Sequence, residues 1–382
     1  MKVSDFDFEL PEECIAQVAA EPRDSARMMV WRRQAGELVH DHISSLPTQL
    51  AAGDLLVLND TKVVPARLYA RRSSGGAVEL LFLEAAPEHG ERAWRALVKP
   101  AKKLKPGEVL RVGAAATKVT AGLARSGPEP SVLGSPDSGE LQAEIRMLTR
   151  DLDKEGAGGW IVELHEVGAQ ERTPLELLES LGEMPLPPYI RRTHDMPVVA
   201  DRERYQTVYA NKEGAIAAPT AGLHFTRPLL EQLEQVGVQT AAVTLHVGLG
   251  TFRPVTAEDT RDHQMHSERY VLSEDTVAAI EACRARAGRV IAVGTTSVRV
   301  LESCVDESGR LSAGSGSTRL FIEPGYRFGA VDGLLTNFHL PRSTLLMLVG
   351  ALTGREPLMD LYREAIDSGY RFYSYGDAML VL

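Results

Sequence analysis

Cysteine is scarce in this sequence: Cys14, Cys283 and Cys304 are the only three, an odd number with no Cys-x-x-Cys spacing. That argues against a disulfide framework, a zinc knuckle and an iron–sulfur cluster, and it fits reduced thiols in the cytosol. Long apolar runs are missing too. The longest, Thr344 to Leu352, falls far short of the roughly 20 residues that a membrane span needs. The opening stretch, Met1-Lys2-Val3-Ser4-Asp5-Phe6-Asp7-Phe8, is acidic and lacks the apolar core of a signal peptide. There is no basic excess: 42 Lys and Arg face 52 Asp and Glu, a formal net charge of −10. This counts mildly against a dedicated nucleic-acid binder, although a local basic patch can still hold phosphates. A complete dinucleotide fingerprint is also absent. Gly248-Leu249-Gly250-Thr251-Phe252 supplies a Gly-x-Gly without the third glycine, so a Rossmann-type methyltransferase is not indicated. With an acidic surface and no coiled-coil heptads, a monomer is the default expectation.

What is present is ordinary globular composition. Apolar residues make up 44% and charged residues 25% of 382 positions, enough for a sizeable core and for two domains or one domain with an insertion. The stretch from Arg67 to about Val167 reads as short β-runs, among them Val78-Glu79-Leu80-Leu81-Phe82-Leu83, Trp94-Arg95-Ala96-Leu97-Val98 and Trp160-Ile161-Val162-Glu163-Leu164. Gly, Ser and Pro punctuate them, most densely from Ser126 to Gly139. Regularly spaced strands with turn signals predict a small barrel or sandwich without helices.

Outside that stretch, apolar runs lead into polar turns and then into helical periodicity. Gly53 to Leu58 leads into Asn59-Asp60-Thr61-Lys62, and Gly214 to Ala218 into Pro219-Thr220-Ala221-Gly222-Leu223-His224. Arg289 to Val293 leads into Gly294-Thr295-Thr296-Ser297, and Gly333 to Asn337 into Phe338-His339-Leu340-Pro341-Arg342. Thr226 and Ser343 are placed to cap the helices that follow. Repeated strand–turn–helix units predict an α/β sheet with helices on its faces, and ligands bind such sheets where strands give way to turns. The expected architecture is an αβα sandwich over 1–66 plus 168–382, with a small antiparallel β-barrel inserted at 67–167.

Each chemically suggestive word also has a plain structural reading. Gly294 to Arg299 suits a phosphate or carboxylate at a helix start, and equally suits an ordinary N-cap. His263 and His266 with Glu268, joined by His224, His246 and His339, would make a loose metal site, but the spacing matches no strong zinc motif. Hydrogen-bonding or acid–base roles suit these histidines better. Lys99, Lys102 and Lys103 form one basic cluster, and Arg191 and Arg192 another. Either would contact nucleic-acid phosphates, or would simply be solvated surface. The stiff Pro185-Leu186-Pro187-Pro188-Tyr189 stretch would serve as a linker returning from the insertion.

Taken together these words resemble one family. Asp60 to Arg67 resembles its early NDTKV-PARL motif, Trp94 to Lys99 its W-ALVKP word, and Pro185 to Arg191 its PLPPYI-R word. Asp201 to Thr226, Thr244 to Val255 with His263, His266 and Glu268, Ile291 to Glu302, Phe321 to Pro341 and Arg371 to Met379 continue the match in the family's order. The chain is thus similar to the S-adenosylmethionine:tRNA ribosyltransferase-isomerases of queuosine synthesis over nearly its whole length. Two departures are visible: an exchanged order of small residues in Arg23-Asp24-Ser25-Ala26-Arg27, and the long, loose stretch from Ser126 to Gly139.

The resemblance implies an α/β sandwich with an inserted β-barrel, S-adenosylmethionine as cosubstrate, and no metal. The acceptor would be tRNA carrying 7-aminomethyl-7-deazaguanine at its wobble position. Epoxyqueuosine tRNA, adenine and methionine would be the products. Such chemistry asks for a base, an acid and groups that hold methionine and adenine apart. His224, His246, His266, Asp60 and Glu268 form the expected acid–base set, with roles unassigned. Thr295, Thr296, Ser297 and Arg299 are expected on the methionine carboxylate or ribose. Arg342 and the helix start at Ser343 offer a second anionic site. Asn337 and His339 share a turn, Tyr375 and Asp377 close the pocket or serve structure, and Lys62, Arg67 and Thr220 complete the substrate-binding set. A metal-dependent hydrolase and a non-catalytic RNA-binding module are the competing readings.

Overall fold

The computed structural model describes residues 1–113, 141–151, 159–168, 172–192, 198–248, 255 and 257–382. The Gly, Ser and Pro-rich stretch at 126–139 lies outside them, as do the residues after Gly248 in the Gly-x-Gly word. The chain forms two compact units: one of Met1–Val63, Pro187–Arg191 and Arg204–Leu382, the other of Val64–Leu186 and Arg192–Glu203. The segment expected as an insertion falls in the second unit, which also takes in residues on either side of it.

In the first unit lie strands β1 (Arg27–Arg32), β2 (Glu37–His42), β3 (Leu55–Asn59) and β4 (Thr61–Val63). The second unit holds β5 (Arg67–Arg71), β6 (Ala77–Ala85), β7 (Ala93–Lys99), β8 (Val109–Gly113), β9 (Leu141–Asp151) and β10 (Gly159–Glu166). The first unit resumes with β11 (Lys212–Ala215), β12 (Gln239–Leu245), β13 (Glu268–Leu272), β14 (Val290–Val293), β15 (Gly314–Thr318), β16 (Gly333–Asn337) and β17 (Ala378–Val381). The α-helices are α1 (Leu46–Gln49), α2 (Pro174–Leu181), α3 (Val198–Arg204), α4 (Arg227–Gln235), α5 (Glu274–Ala285), α6 (Thr295–Ser303), α7 (Thr344–Thr353) and α8 (Arg355–Asp367).

Nine strands of the first unit form one sheet in the order β15-β13-β12-β3-β14-β16-β17-β1-β2. Its centre, β12-β3-β14-β16, is parallel, and antiparallel strands flank it on both sides. Every residue of β3, β14 and β16 is buried. That is why β14 and the first four residues of β3 read as unbroken apolar runs: a parallel strand covered on both faces has no solvent side to alternate with. Along β3, Leu55 and Val57 enter the core beneath α5, α6, α7 and α8, whereas Leu56 and Leu58 enter the opposite core with Leu229 and Leu233 of α4. The first unit is therefore helix, sheet, helix.

Thr226 and Ser343 cap α4 and α7, their hydroxyls accepting from the amides of Leu229 and Leu346. One expected strand departs from the pattern. The apolar run 214–218 gives only the end of β11, which pairs with β4 in a separate two-stranded sheet. Gly214 adopts φ +138° against the ring of His246, and Pro219 follows soon after, so the extended run stops short.

In the second unit β10-β7-β6-β5-β8-β9 closes into an antiparallel barrel. Side chains of β6 alternate between interior and exterior, placing Val78, Leu80 and Phe82 inside with the fully buried Trp160.

Candidate active site

Because β3, β12, β14 and β16 run parallel, their carboxyl ends share one edge of the sheet. Asn59 and Asp60, His246, Gly294 to Ser297, and Asn337 to His339 all emerge there. Antiparallel pairing brings the starts of β13 and β17 to the same edge, with Glu268 and Asp377. Residues far apart in the chain are gathered by strand direction alone, at the place where open α/β sheets bind ligands.

Asn59 is the hub of this edge. Its Oδ1 accepts from the amides of Thr61 (3.2 Å) and Leu245 (3.0 Å), and its Nδ2 donates to the Leu245 carbonyl (3.1 Å) and Thr296 Oγ1 (3.2 Å). One buried amide thus ties β3 to β12 and to the start of α6. Next to it, Thr244 Oγ1 donates to Asp60 Oδ1 at 2.6 Å, and Thr61 Oγ1 lies 2.9 Å from His246 Nδ1. Burial and the nearby Arg269 push the His246 imidazole below its ordinary pKa, against the pull of Asp60.

A second cluster surrounds Asn337 at the end of β16. Thr220 Oγ1 donates to its Oδ1 (2.8 Å), and its Nδ2 reaches His224 Nε2 (3.1 Å) and the Tyr373 carbonyl (3.2 Å). Burial pushes the His224 pKa down to about 4, so the ring is neutral near pH 7. His339 is likewise buried and pushed down to about 3, with its Nε2 2.8 Å from Thr336 Oγ1. Beside this cluster opens a small cleft lined by Thr220, Asn337, His339, Ser343, Tyr189 and Tyr373 among others. The Tyr189 and Tyr373 rings stack at 4.5 Å, and Tyr189 Oη meets Ser374 Oγ at 2.5 Å. Tyr373 holds a left-handed backbone, φ +70°, a strain that tends to collect at ligand sites.

Several expected site residues are committed within the chain. The Arg299 guanidinium, expected on the methionine carboxylate, is buried in an ion pair with Glu268 and donates to the Leu320 (3.1 Å) and Thr318 (3.5 Å) carbonyls. Glu268 Oε1 also accepts from the Gly248 amide at 3.1 Å. Ser297 Oγ donates to the Val293 carbonyl (2.8 Å). Asp377 accepts from the amides of Arg27 and Arg371 and from the Arg371 side chain. Tyr375 is buried edge-on against Tyr205. Thr295 and Thr296 occupy the first turn of α6, both buried.

At the surface, Arg342 lies 3.7 Å from Asp7 and Lys62 2.7 Å from Glu213. His266 is half-buried just before β13. Arg67 belongs to the second unit, where it donates to the Leu186 carbonyl and sits 3.4 Å from Glu79. Lys99, Lys102 and Lys103 are exposed at the end of β7 and beyond it. Arg191 pairs with Glu12, and Arg192 with Asp201 through two hydrogen bonds. Among the described residues, no three His, Cys, Asp or Glu side chains converge so as to hold a metal ion.

Asn59, Thr61, Thr244 and Tyr189 were not singled out from sequence. Asn59 and Thr61 read as turn formers, and Tyr189 as part of a proline-rich linker. A signal was available in β3, which is apolar from Leu55 to Leu58 and then ends in a buried polar amide.

Comparison with known proteins agrees with the motif order. The queuosine biosynthesis protein family model matches residues 3–381. Proteins named S-adenosylmethionine:tRNA ribosyltransferase-isomerase from Moorella thermoacetica and Symbiobacterium thermophilum are each 48% identical, and one from Caldanaerobacter subterraneus 47%, over the full length of both chains. The crystal structure of S-adenosylmethionine tRNA ribosyltransferase from Thermotoga maritima is 35% identical, covering 99% of this chain and 100% of that one with a TM-score of 0.51. The chain belongs to the queuosine biosynthesis protein family.

Proposed function

We propose that this chain transfers and isomerises the ribosyl moiety of S-adenosylmethionine onto 7-aminomethyl-7-deazaguanine at the wobble position of tRNA. The products are epoxyqueuosine tRNA, adenine and methionine. The observation that carries the reading is full-length identity near 48% to proteins of that name. The polar clusters at the carboxyl edge of the sheet support it, because a simple binding module has no need of buried acid–base groups beside a cleft.

In this reading the sulfonium acidifies the protons of the adjacent ribose carbon, and a base at the edge removes one. Adenine departs with a proton, the neutral amine attacks, and methionine leaves as the epoxide closes. His246 and Asp60, held by Thr61 and Thr244, are the strongest candidates for proton transfer, with His266 just before β13, whose start lies at the same edge. The positive end of α6, carrying Thr295 and Thr296, suits the methionine carboxylate or a ribose oxygen. Ser343 and Arg342 offer a second anionic site. Glu268, Arg299, Ser297, Asp377 and Tyr375 serve by holding the edge in place rather than by touching substrate. His339, Asn337 and Thr220 line the cleft that takes the cosubstrate. Lys62 and Arg67 remain candidates for the substrate phosphates. The exposed Lys99, Lys102 and Lys103, with Arg191 and Arg192, are the proposed tRNA contacts. The reaction is taken to need no metal, to occur in the cytosol and to be carried out by a monomer.

The deciding experiment is adenine release from S-adenosylmethionine by purified protein, with and without tRNA bearing the aminomethyl base. Release only with the modified tRNA, with a matching mass gain on that tRNA and full activity after chelation and dialysis, is expected. Bound tRNA without release would favour the binding module, and activity lost on chelation the metal hydrolase.

A further inference from the structure

We propose that His224 acts as a neutral hydrogen-bond donor through Nδ1, and that Asn337 and Thr220 are positioning residues that hold it in that tautomer. The inference deepens the transferase reading and rests on it. A backbone carbonyl can only accept, so the Asn337 group 3.2 Å from the Tyr373 carbonyl is the amide nitrogen. The other arm of the amide is then the oxygen, which receives the Thr220 hydroxyl hydrogen at 2.8 Å. The second hydrogen on Nδ2 points to His224 Nε2 at 3.1 Å, and that nitrogen must present a lone pair. A neutral imidazole with a bare Nε2 carries its hydrogen on Nδ1. A protonated ring would set one N–H against another.

Burial also keeps the ring neutral. Asp377 pulls toward protonation, but Arg371 and Arg23 oppose it alongside the loss of water. Among the described residues nothing accepts from Nδ1, which leaves that donor for a ligand.

The consequence concerns mechanism. A neutral imidazole N–H is a weak acid but an effective electrophile: it steadies charge growing on an acceptor without giving up its proton. The fitting partner is a ring nitrogen or oxygen that gains electron density as a carbon–nitrogen bond breaks, as on a departing purine. No proton leaves His224 in this step, and the hydrogen that the leaving group takes comes from another acid. His224 is thereby removed from the candidates for general base.

The test is nitrogen-15 NMR of the full chain labelled at its 10 histidines, with His224 assigned by the signal lost in His224→Gln. A protonated Nδ1 and a bare Nε2, unchanged from about pH 6 to 8, are expected in the wild type. Asn337→Asp places only acceptors opposite Nε2 and should move the hydrogen there. Thr220→Val should lower kcat roughly ten- to a hundredfold with KM little changed, and Thr220→Ser should restore it. A wild-type ring protonated at Nε2, or Thr220→Val turning over like wild type, overturns the proposal. The tautomer is read without substrate, so failure of the transferase reading shows separately, as wild-type protein that releases no adenine.

Discussion

At the scale of single residues, the buried pair of Glu268 and Arg299 shows how far a charged side chain's role depends on what lies beside it. Both are nearly inaccessible, and the guanidinium is held by one carboxylate and two carbonyls. Removing one partner strands the other charge in the interior, so Glu268→Gln is expected to cost about 3–5 kcal/mol in urea unfolding. Glu268→Gln combined with Arg299→Met should recover much of that loss. Protons act on the same scale. His224 and His339 are pushed from 6.5 to about 4 and about 3 by burial. The unfolded chain therefore binds protons that the folded chain refuses, once pH falls below 6.5. Their neutral forms stabilise the fold fully above that value, and the contribution drains away as pH falls through 6.5 toward about 4 and about 3. The upper bounds are on the order of 3 kcal/mol for His224 and on the order of 5 kcal/mol for His339. Melting temperature should accordingly fall between pH 6.5 and 4, less steeply in His339→Gln if that variant folds. Neither the ion pair nor the two neutral histidines could be read from sequence. Glu268 and Arg299 lie in different motifs, and burial of a histidine leaves no local signature.

At the scale of elements, much was legible, for physical reasons. The apolar runs at β3, β14 and β16 are long enough and bounded sharply enough to mark buried parallel strands. The capping residues Thr226 and Ser343 mark helix starts because their hydroxyls compete for free backbone amides. Thr226→Ala should destabilise the chain by about 1 kcal/mol in thermal or urea melts, since it loses the cap on Leu229 and a bond to Asp24. The run at 214–218 was misread because an apolar stretch that short carries no period and names no pairing partner. The Asn59 hub was missed for a related reason: asparagine after a strand is ordinary turn chemistry. Three of its four hydrogen bonds reach residues 186 and 237 positions away, a proximity that only strand order creates.

At the scale of the whole molecule, an acidic chain is proposed to bind an acidic polymer. Net charge sets the long-range field, but contact charge sets affinity. Changing Lys99, Lys102 and Lys103 together to Ala should weaken tRNA binding and flatten its dependence on salt by about two to three in log–log slope. Adenine release at saturating tRNA should change little. A slope equal to wild type would place the tRNA contacts elsewhere. The order of strands in the large sheet has a further consequence, for the chain as it is being made. Leu55 sits beside Gln239 on one side and Val290 on the other. At synthesis rates of about 5–20 residues per second, β3 leaves the ribosome roughly ten seconds or more before either neighbour exists. The barrel strands, contiguous from Arg67 to Glu166, emerge in that interval and find their partners at once. For that time a largely apolar, central strand of the large sheet has two open edges and no mate of its own. A ribosome stalled before Gln239 would therefore hold a nascent chain with a bare, adhesive ribbon near its start.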